Sequence, residues 1–307
     1  MTAMMTNTKR LIVVVGATAS GKTDLSIALA RHYNAPILST DSRQVYKGLN
    51  IGTAYPSSEQ LQAAEHHFIG ELELTESFNC GEYEKRALER LEMRFEKSDT
   101  VVAVGGSGLY IKALCEGMDT LPDADAQLRS ELSSRLANEG VEALANQLRE
   151  LDPEYYQVVD KSNPARVMRA LEVCLASGKK YSELRKGERK ERDFQIVKIG
   201  VEIPREVLYD RVNRRVDMMI EAGLEAEARS VLPYRHCNSL HTVGYSEMFD
   251  YFDGKTTLAQ AVELIKRNTR HYAKRQMTWF RRDSQIAWFA PADYQAIIKY
   301  IDAQFGE

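Results

Sequence analysis

Short apolar runs alternating with stretches of helical periodicity make up the first third of the chain. Residues 11–15, Leu-Ile-Val-Val-Val, form an unbroken apolar run, the pattern of a strand buried on both faces of a parallel sheet. A helical pattern follows, with Leu25 and Leu29 beside Ala28 and Ala30. Residues 36–40 predict a second strand, 66–70 a short third and 100–104 another buried one. Between them, 82–97 places Ala87, Leu88, Leu91 and Phe95 at helical spacing amid charges. Strands that alternate with helices predict an α/β fold, a parallel sheet flanked by helices.

Near residue 121 the alternation stops. Leu128, Leu132 and Leu136 recur every four residues, Leu144 and Leu148 continue, and 164–177 is another amphipathic run behind Asn163. No strand pattern returns until 195–202. The expectation is an α/β core in two parts, 1–120 and 195–307, interrupted by a helical insertion at 121–194 that ends in a solvated mixed-charge linker, 182–193. Pro204 then opens a long helix that runs through Met219 and stops near Gly223. A last long helix is expected from Thr257, with Leu258, Val262, Ile265, Thr269, Tyr272, Gln276 and Trp279 facing inward, and 286–289 closes the domain as an edge strand.

Chemistry concentrates in the turns. Gly16-Ala17-Thr18-Ala19-Ser20-Gly21-Lys22-Thr23 fits G-x-x-x-x-G-K-[ST] and lies between a strand and a helix, the context this phosphate-binding loop requires. Glycines there let successive N–H groups point inward at phosphate oxygens. Lys22 adds a mobile charge, Thr23 offers a hydroxyl to Mg²⁺, and the helix N-terminus adds its partial positive charge. Asp41 follows the second strand at the ligand end of a parallel sheet, placed to accept a proton or to bind metal through water; capping a turn is its plainer alternative. Gly105-Gly106-Ser107-Gly108 opens a further helix at the same end, where Ser107 could face the reacting group. Arg211 and Arg215 share a helix face that could reach the phosphate loop, and Arg166 and Arg169 share one in the insertion. His66 and His67 are adjacent and would point to opposite faces of a strand, a poor metal geometry. No strand ends in the aspartate that hydrolytic enzymes of this loop type use for metal and water; residues 101–104 run straight into Gly105-Gly106.

Composition narrows the class. The chain has 307 residues, 44% hydrophobic and 28% charged, an ordinary globular make-up with ample core. Four cysteines scattered singly suggest neither disulfides nor a zinc site. No stretch approaches a membrane span, and the first nine residues carry no apolar signal-peptide core, so the expectation is a cytoplasmic protein without membrane contact. A net charge of -3 argues against a uniformly basic nucleic-acid binder, yet the last long helix gathers Lys266, Arg267, Arg270, Lys274 and Arg275, with Arg281 and Arg282 behind. Lys266, Arg270 and Lys274 on one face, near Tyr272, Trp279 and Phe280, suit a surface that follows a nucleic-acid backbone.

Together the motifs resemble one family, the tRNA dimethylallyltransferases, over nearly the whole chain. The resemblance rests on G-A-T-A-S-G-K-T at 16–23, D-S-R-Q-V-Y-K-G-L-N-I-G-T-A at 41–54, G-G-S-G-L-Y at 105–110 and L-P at 121–122 followed by Arg129. It continues with R-V-M-R-A-L-E at 166–172, V-G-Y at 243–245 and A-K-R-Q-M-T-W-F-R at 273–281. Three positions depart from the family pattern: Ala17 where Pro is frequent, Ser107 where Thr is usual, and Ala165 where Gln commonly precedes the arginine. Serine keeps the hydroxyl; the missing Gln puts one tRNA contact in question. With no paired cysteines in the sequence, no counterpart of the eukaryotic relatives' zinc finger is expected.

The resemblance implies a fold like that of P-loop NTPases and transfer of a dimethylallyl group from dimethylallyl diphosphate to N6 of an adenosine beside the anticodon of tRNA. It implies that Gly16, Ala17, Thr18, Ala19, Ser20, Gly21, Lys22 and Thr23 hold the diphosphate, with Mg²⁺ near Thr23. Asp41 would accept the N6 proton, and Ser107 and Arg129 would touch substrate near the reacting atoms. Asp41, Ser42, Arg43 and Gln44, then Ala165, Arg166, Val167, Met168 and Arg169, then His241, Thr242, Val243, Gly244, Tyr245 and Ser246 match the family's tRNA-contact segments. A monomer of bacterial type is expected. A small-molecule kinase, an adenylate isopentenyltransferase acting on free AMP or ATP, and a non-catalytic RNA-binding module are the alternatives.

Overall fold

The computed structural model describes residues 9–122 and 125–306; most of the N-terminal stretch weighed above as a signal segment lies outside the described residues. In chain order the elements are β1 (Arg10–Gly16), α1 (Lys22–His32), β2 (Ile37–Ser39), α2 (Ser58–Ala63), β3 (His66–His67), α3 (Cys80–Phe95), β4 (Thr100–Gly105) and α4 (Gly108–Glu116). Four helices follow: α5 (Ala126–Leu151), α6 (Pro153–Val158), α7 (Pro164–Ser177) and α8 (Tyr181–Leu184). The chain ends with β5 (Gln195–Val201), α9 (Arg205–Glu221), α10 (Leu224–Ser230), α11 (Tyr245–Phe252), α12 (Leu258–Phe280), β6 (Ile286–Phe289) and α13 (Tyr294–Phe305). They group into two compact units, one formed by the chain up to Glu116 and from Glu191 on, the other by Gly117–Lys190.

In the first unit the strands form one six-stranded sheet in the order β3-β2-β4-β1-β5-β6, parallel throughout. The unbroken apolar run of β1 is explained by its central place. Leu11, Val13 and Val15 enter the core on one face with Tyr83, Leu91 and Leu114. Ile12 and Val14 enter the other with Leu25, Leu29, Ile297 and Ile301. Register then positions the site. Val15 of β1 lies opposite Gly105 of β4, and Ser39 of β2 opposite Val104, so the turns after β1, β2 and β4 leave the sheet side by side. Glycine at 105 permits this closeness: a Cβ there would lie 2.2 Å from Thr40 Oγ1.

The second unit has its own core, where Leu132, Leu144 and Leu148 of α5 meet Val167 and Leu171 of α7. Gly140, at φ 80°, breaks α5 into two helical segments. Asp152, fully buried, caps α6 through Tyr155 N (3.0 Å) and holds Ser182 through its N–H (2.7 Å) and hydroxyl (2.8 Å). The unit spans 117–190 where the sequence suggested 121–194. Part of that difference lies in the linker, which is not solvated throughout. Arg192 belongs to the first unit, where it donates to the carbonyls of Leu114 (2.9 Å) and Ala113 (2.6 Å) and pairs with Glu84 (3.0 Å).

Candidate active site

The phosphate loop takes its shape from the residues the motif singles out. Gly21 and Ala19 lie in the left-handed region, at φ 98° and 65°, and Ser20 N donates to Ala17 O (3.2 Å) to close the turn. Lys22 Nζ folds back onto Ala17 O (2.9 Å). Thr18 N donates to Gln276 Oε1 (2.9 Å), while Gln276 Nε2 donates to Gly106 O (3.0 Å). One amide from α12 thus joins the loop after β1 to the turn after β4. A Cβ at Gly106 would sit 2.0 Å from that Nε2, so the glycine makes room for the bridge. Arg215 Nη1 donates to Thr18 Oγ1 (3.4 Å), and Arg211 Nη1 lies 3.8 Å from where a Gly21 Cβ would be.

Positive charge gathers here. Burial, followed by the charge of Arg215, pulls the Lys22 ammonium down to about 8, with Asp41 opposing. Burial lowers Arg215 as well. Half-buried cations that destabilise each other favour an anionic ligand of high charge density.

Across the cleft, residues 41–44 form a tight turn. Asp41 Oδ1 accepts from the N–H groups of Arg43 (2.8 Å) and Gln44 (3.3 Å). The capping role considered for Asp41 is therefore real, but it occupies one oxygen. Ser107 Oγ accepts from Ser42 N (3.0 Å) and donates to Ser42 Oγ (3.2 Å), which fixes the turn after β2 to the turn after β4. Gln44 Nε2 donates to the carbonyls of Thr53 (3.2 Å) and Ala54 (3.0 Å). Arg43 reaches the carbonyls of Asn238 (2.6 Å) and His241 (3.4 Å). The resulting cleft encloses about 160 Å³ and brings Lys22, Thr23, Asp41, Arg215, Tyr272 and Gln276 around one space. Tyr272 has its phenol pushed up by burial and by the nearby Asp41 charge. His66, read from the sequence only as part of a poor metal geometry, also lines this cleft.

The other expected residues differ in burial. Thr242, Val243 and Gly244 line the cleft, and His241 and Ser246 are exposed. Tyr245 is fully buried, with its hydroxyl donating to Glu227 Oε1 (2.6 Å). In the second unit Ala165 and Arg166 are exposed on the first turn of α7, Met168 and Arg169 are half-buried, and Val167 is fully buried. The side chains of Val167 and Tyr245 are thus taken up by packing in the protein by itself. Arg129 and Arg169 both pair with Glu172, at 2.8 and 3.4 Å, and Arg169 also donates to Pro122 O (3.0 Å).

The basic residues of α12 do not share one environment. Lys266 pairs with Asp217 (2.8 Å) and Glu263 (3.2 Å), and Arg270 donates to Asn213 Oδ1 (2.5 Å). Both turn toward α9; Lys274 alone of the three is exposed. Trp279 is 38% exposed rather than inward, and Phe280 is the buried ring. Gln276 was legible only as a member of the inward stripe, and Glu227 carried no motif at all.

The sequence matches the family described as IPP transferase over residues 44–283. Among curated relatives, tRNA dimethylallyltransferase 1 of Phocaeicola vulgatus is 50% identical over 291 residues, covering 95% of this chain and 97% of its own. The tRNA dimethylallyltransferase of Cytophaga hutchinsonii is 47% identical over 299 residues, covering 97% and 98%. Among solved structures, the full-length tRNA isopentenylpyrophosphate transferase of Bacillus halodurans is similar with a TM-score of 0.71 at 37% identity, over 96% of both chains. A eukaryotic dimethylallyltransferase acting on tRNA gives a TM-score of 0.77 at 25% identity, over 96% of this chain and 76% of its own.

Proposed function

The chain belongs to the IPP transferase family, and from that premise we propose that it transfers the dimethylallyl group of dimethylallyl diphosphate to N6 of an adenosine adjacent to the anticodon, in tRNAs that read codons beginning with U. It would do so in the cytoplasm as a monomer; among the described residues no helix is long and apolar enough to cross a membrane. The observation that carries this reading is one cleft with Lys22 and Arg215 on its phosphate-loop side and Asp41 across from them.

The chain's own groups divide the work. Backbone N–H groups of the phosphate loop, Lys22 and Arg215 hold the diphosphate and take up negative charge as the allylic C–O bond breaks. The N6 amine attacks the allylic carbon, the C–N bond forms, and the amine loses a proton. Asp41 accepts it at Oδ2, because Oδ1 is held by the amides of Arg43 and Gln44. The adenosine must leave its stack to reach this point, and Thr242, Val243 and Gly244 line the space it would enter.

Mg²⁺ fits the donor set. Thr23 lines the cleft, and no three His, Cys, Asp or Glu side chains among the described residues cluster into a protein cage. That suits a cation that keeps phosphate and water ligands. Bound beside Thr23, it would neutralise the leaving diphosphate.

Incubation with dimethylallyl diphosphate, Mg²⁺ and unmodified tRNA should yield a prenylated adenosine, detected by nucleoside mass spectrometry. Product with free AMP and none with tRNA would replace this reading with an adenylate isopentenyltransferase, and phosphorylated product that consumes ATP would replace it with a kinase.

A further inference from the structure

Glu227, on α10, belongs to none of the sequence motifs, yet its carboxylate gathers the loop that lies beside the cleft. Oε2 accepts from the N–H groups of Asn50 (2.9 Å) and Ile51 (2.8 Å), and Oε1 accepts from Gly52 N (2.9 Å) and Tyr245 OH (2.6 Å). Three successive backbone donors turned toward one anion form a nest, the arrangement loops use to bind phosphates. Here a side chain fills it. The Tyr245 ring adds to the hold: a Cβ on Gly52 would lie 2.6 Å from it, so the ring rests directly on the backbone.

From this anchor an unbroken series of contacts reaches Asp41. Gly52, Thr53 and Ala54 line the cleft. The carbonyls of Thr53 and Ala54 hold the side chain of Gln44, and Gln44 N donates to Asp41 Oδ1. None of these contacts passes through Lys22, Arg215 or Thr18, which form the opposite, diphosphate-holding side. Burial and the adjacent Glu227 charge keep the Tyr245 phenol protonated, so the ring remains a donor to the carboxylate.

We infer that Glu227 is a positioning residue for the acceptor adenosine, setting residues 50–54 and through them the Gln44–Asp41 turn, while leaving the donor side untouched. The inference rests on the reaction proposed above. Removing an anchor of this kind loosens the wall that receives the acceptor, enough to weaken its productive binding on the order of tenfold.

Glu227→Gln is the informative variant, because its amide can accept through one oxygen only and turns an NH₂ group toward donors. Hydrogen exchange on the whole protein without substrates should show peptides spanning 47–55 exchanging on the order of tenfold faster, with 16–23 unchanged. Steady-state kinetics should then show KM for tRNA rising on the order of tenfold while KM for dimethylallyl diphosphate stays within twofold. Tyr245→Phe, which removes one of the four bonds, should shift both readouts the same way by less. Unchanged exchange over 47–55, or an equal rise in both KM values, would overturn the assignment and leave Glu227 a general fold residue. Should Glu227→Gln fail to fold, Tyr245→Phe decides by the same two readouts. Exchange needs no turnover, so a wild-type protein that makes no prenylated tRNA would sink the reaction, whereas a wild type that makes it beside a Glu227→Gln variant with unmoved exchange would sink the positioning role.

Discussion

Asp41 holds its turn together with one carboxylate oxygen, Oδ1, and lines the cleft. Asparagine retains an oxygen for the amides of Arg43 and Gln44 but cannot take a proton at neutral pH. Asp41→Asn is therefore expected to keep fold and tRNA affinity while losing about 10²-fold or more in kcat; near-normal turnover in that variant would remove Asp41 from the base's role. Lys22 supplies the matching pH dependence. Its folded value of about 8 lies below its ordinary 10.5, so between those values the unfolded chain binds more protons and this residue's contribution makes stability rise with pH. Diphosphate binding makes the opposite demand, because it needs the ammonium. Donor binding should take up a proton near pH 8 and weaken above it, as calorimetry in buffers of different ionisation enthalpy would show. Lys22→Met should bind donor more weakly and without that uptake.

At the scale of elements, alternation and periodicity reveal most of the sheet because burial on both faces writes itself into β1 and β4 as continuous apolar runs. The phosphate loop is equally legible, since its backbone needs particular residues at fixed spacing. Helices α10 and α11 are too short for periodicity alone to resolve, and α13 shows its helical spacing in Ile297, Ile298 and Ile301. Partners distant in sequence are invisible in it. Lys266 has the spacing of a nucleic-acid contact, but Asp217 on α9 already neutralises it. Lys266→Gln should therefore leave the salt dependence of tRNA binding unchanged, whereas Lys274→Gln, at an exposed position, should reduce the log–log slope by up to about 1. Filter binding across a salt series distinguishes the two, and a flattened slope for Lys266→Gln would restore the original face.

For the whole molecule, the decisive feature is that three turns far apart in sequence leave adjacent strands at one end of a parallel sheet. A net charge of -3 coexists with a cationic cleft because Lys22 and Arg215 converge on a few ångströms of loop, while surface pairs such as Arg235 with Asp253 cancel locally. The average says little about the site; the fold's bringing together of particular side chains says nearly everything.

The amide of Gln276 has a consequence in time. It lies 258 residues beyond Thr18, the group it satisfies. A ribosome adding about 5–20 residues per second exposes the phosphate loop roughly 13–50 s before that partner is made. The nascent chain therefore holds the motif for most of its synthesis with its bridge to the second glycine turn still missing, and the two turns are joined only when almost all of the chain has been synthesised.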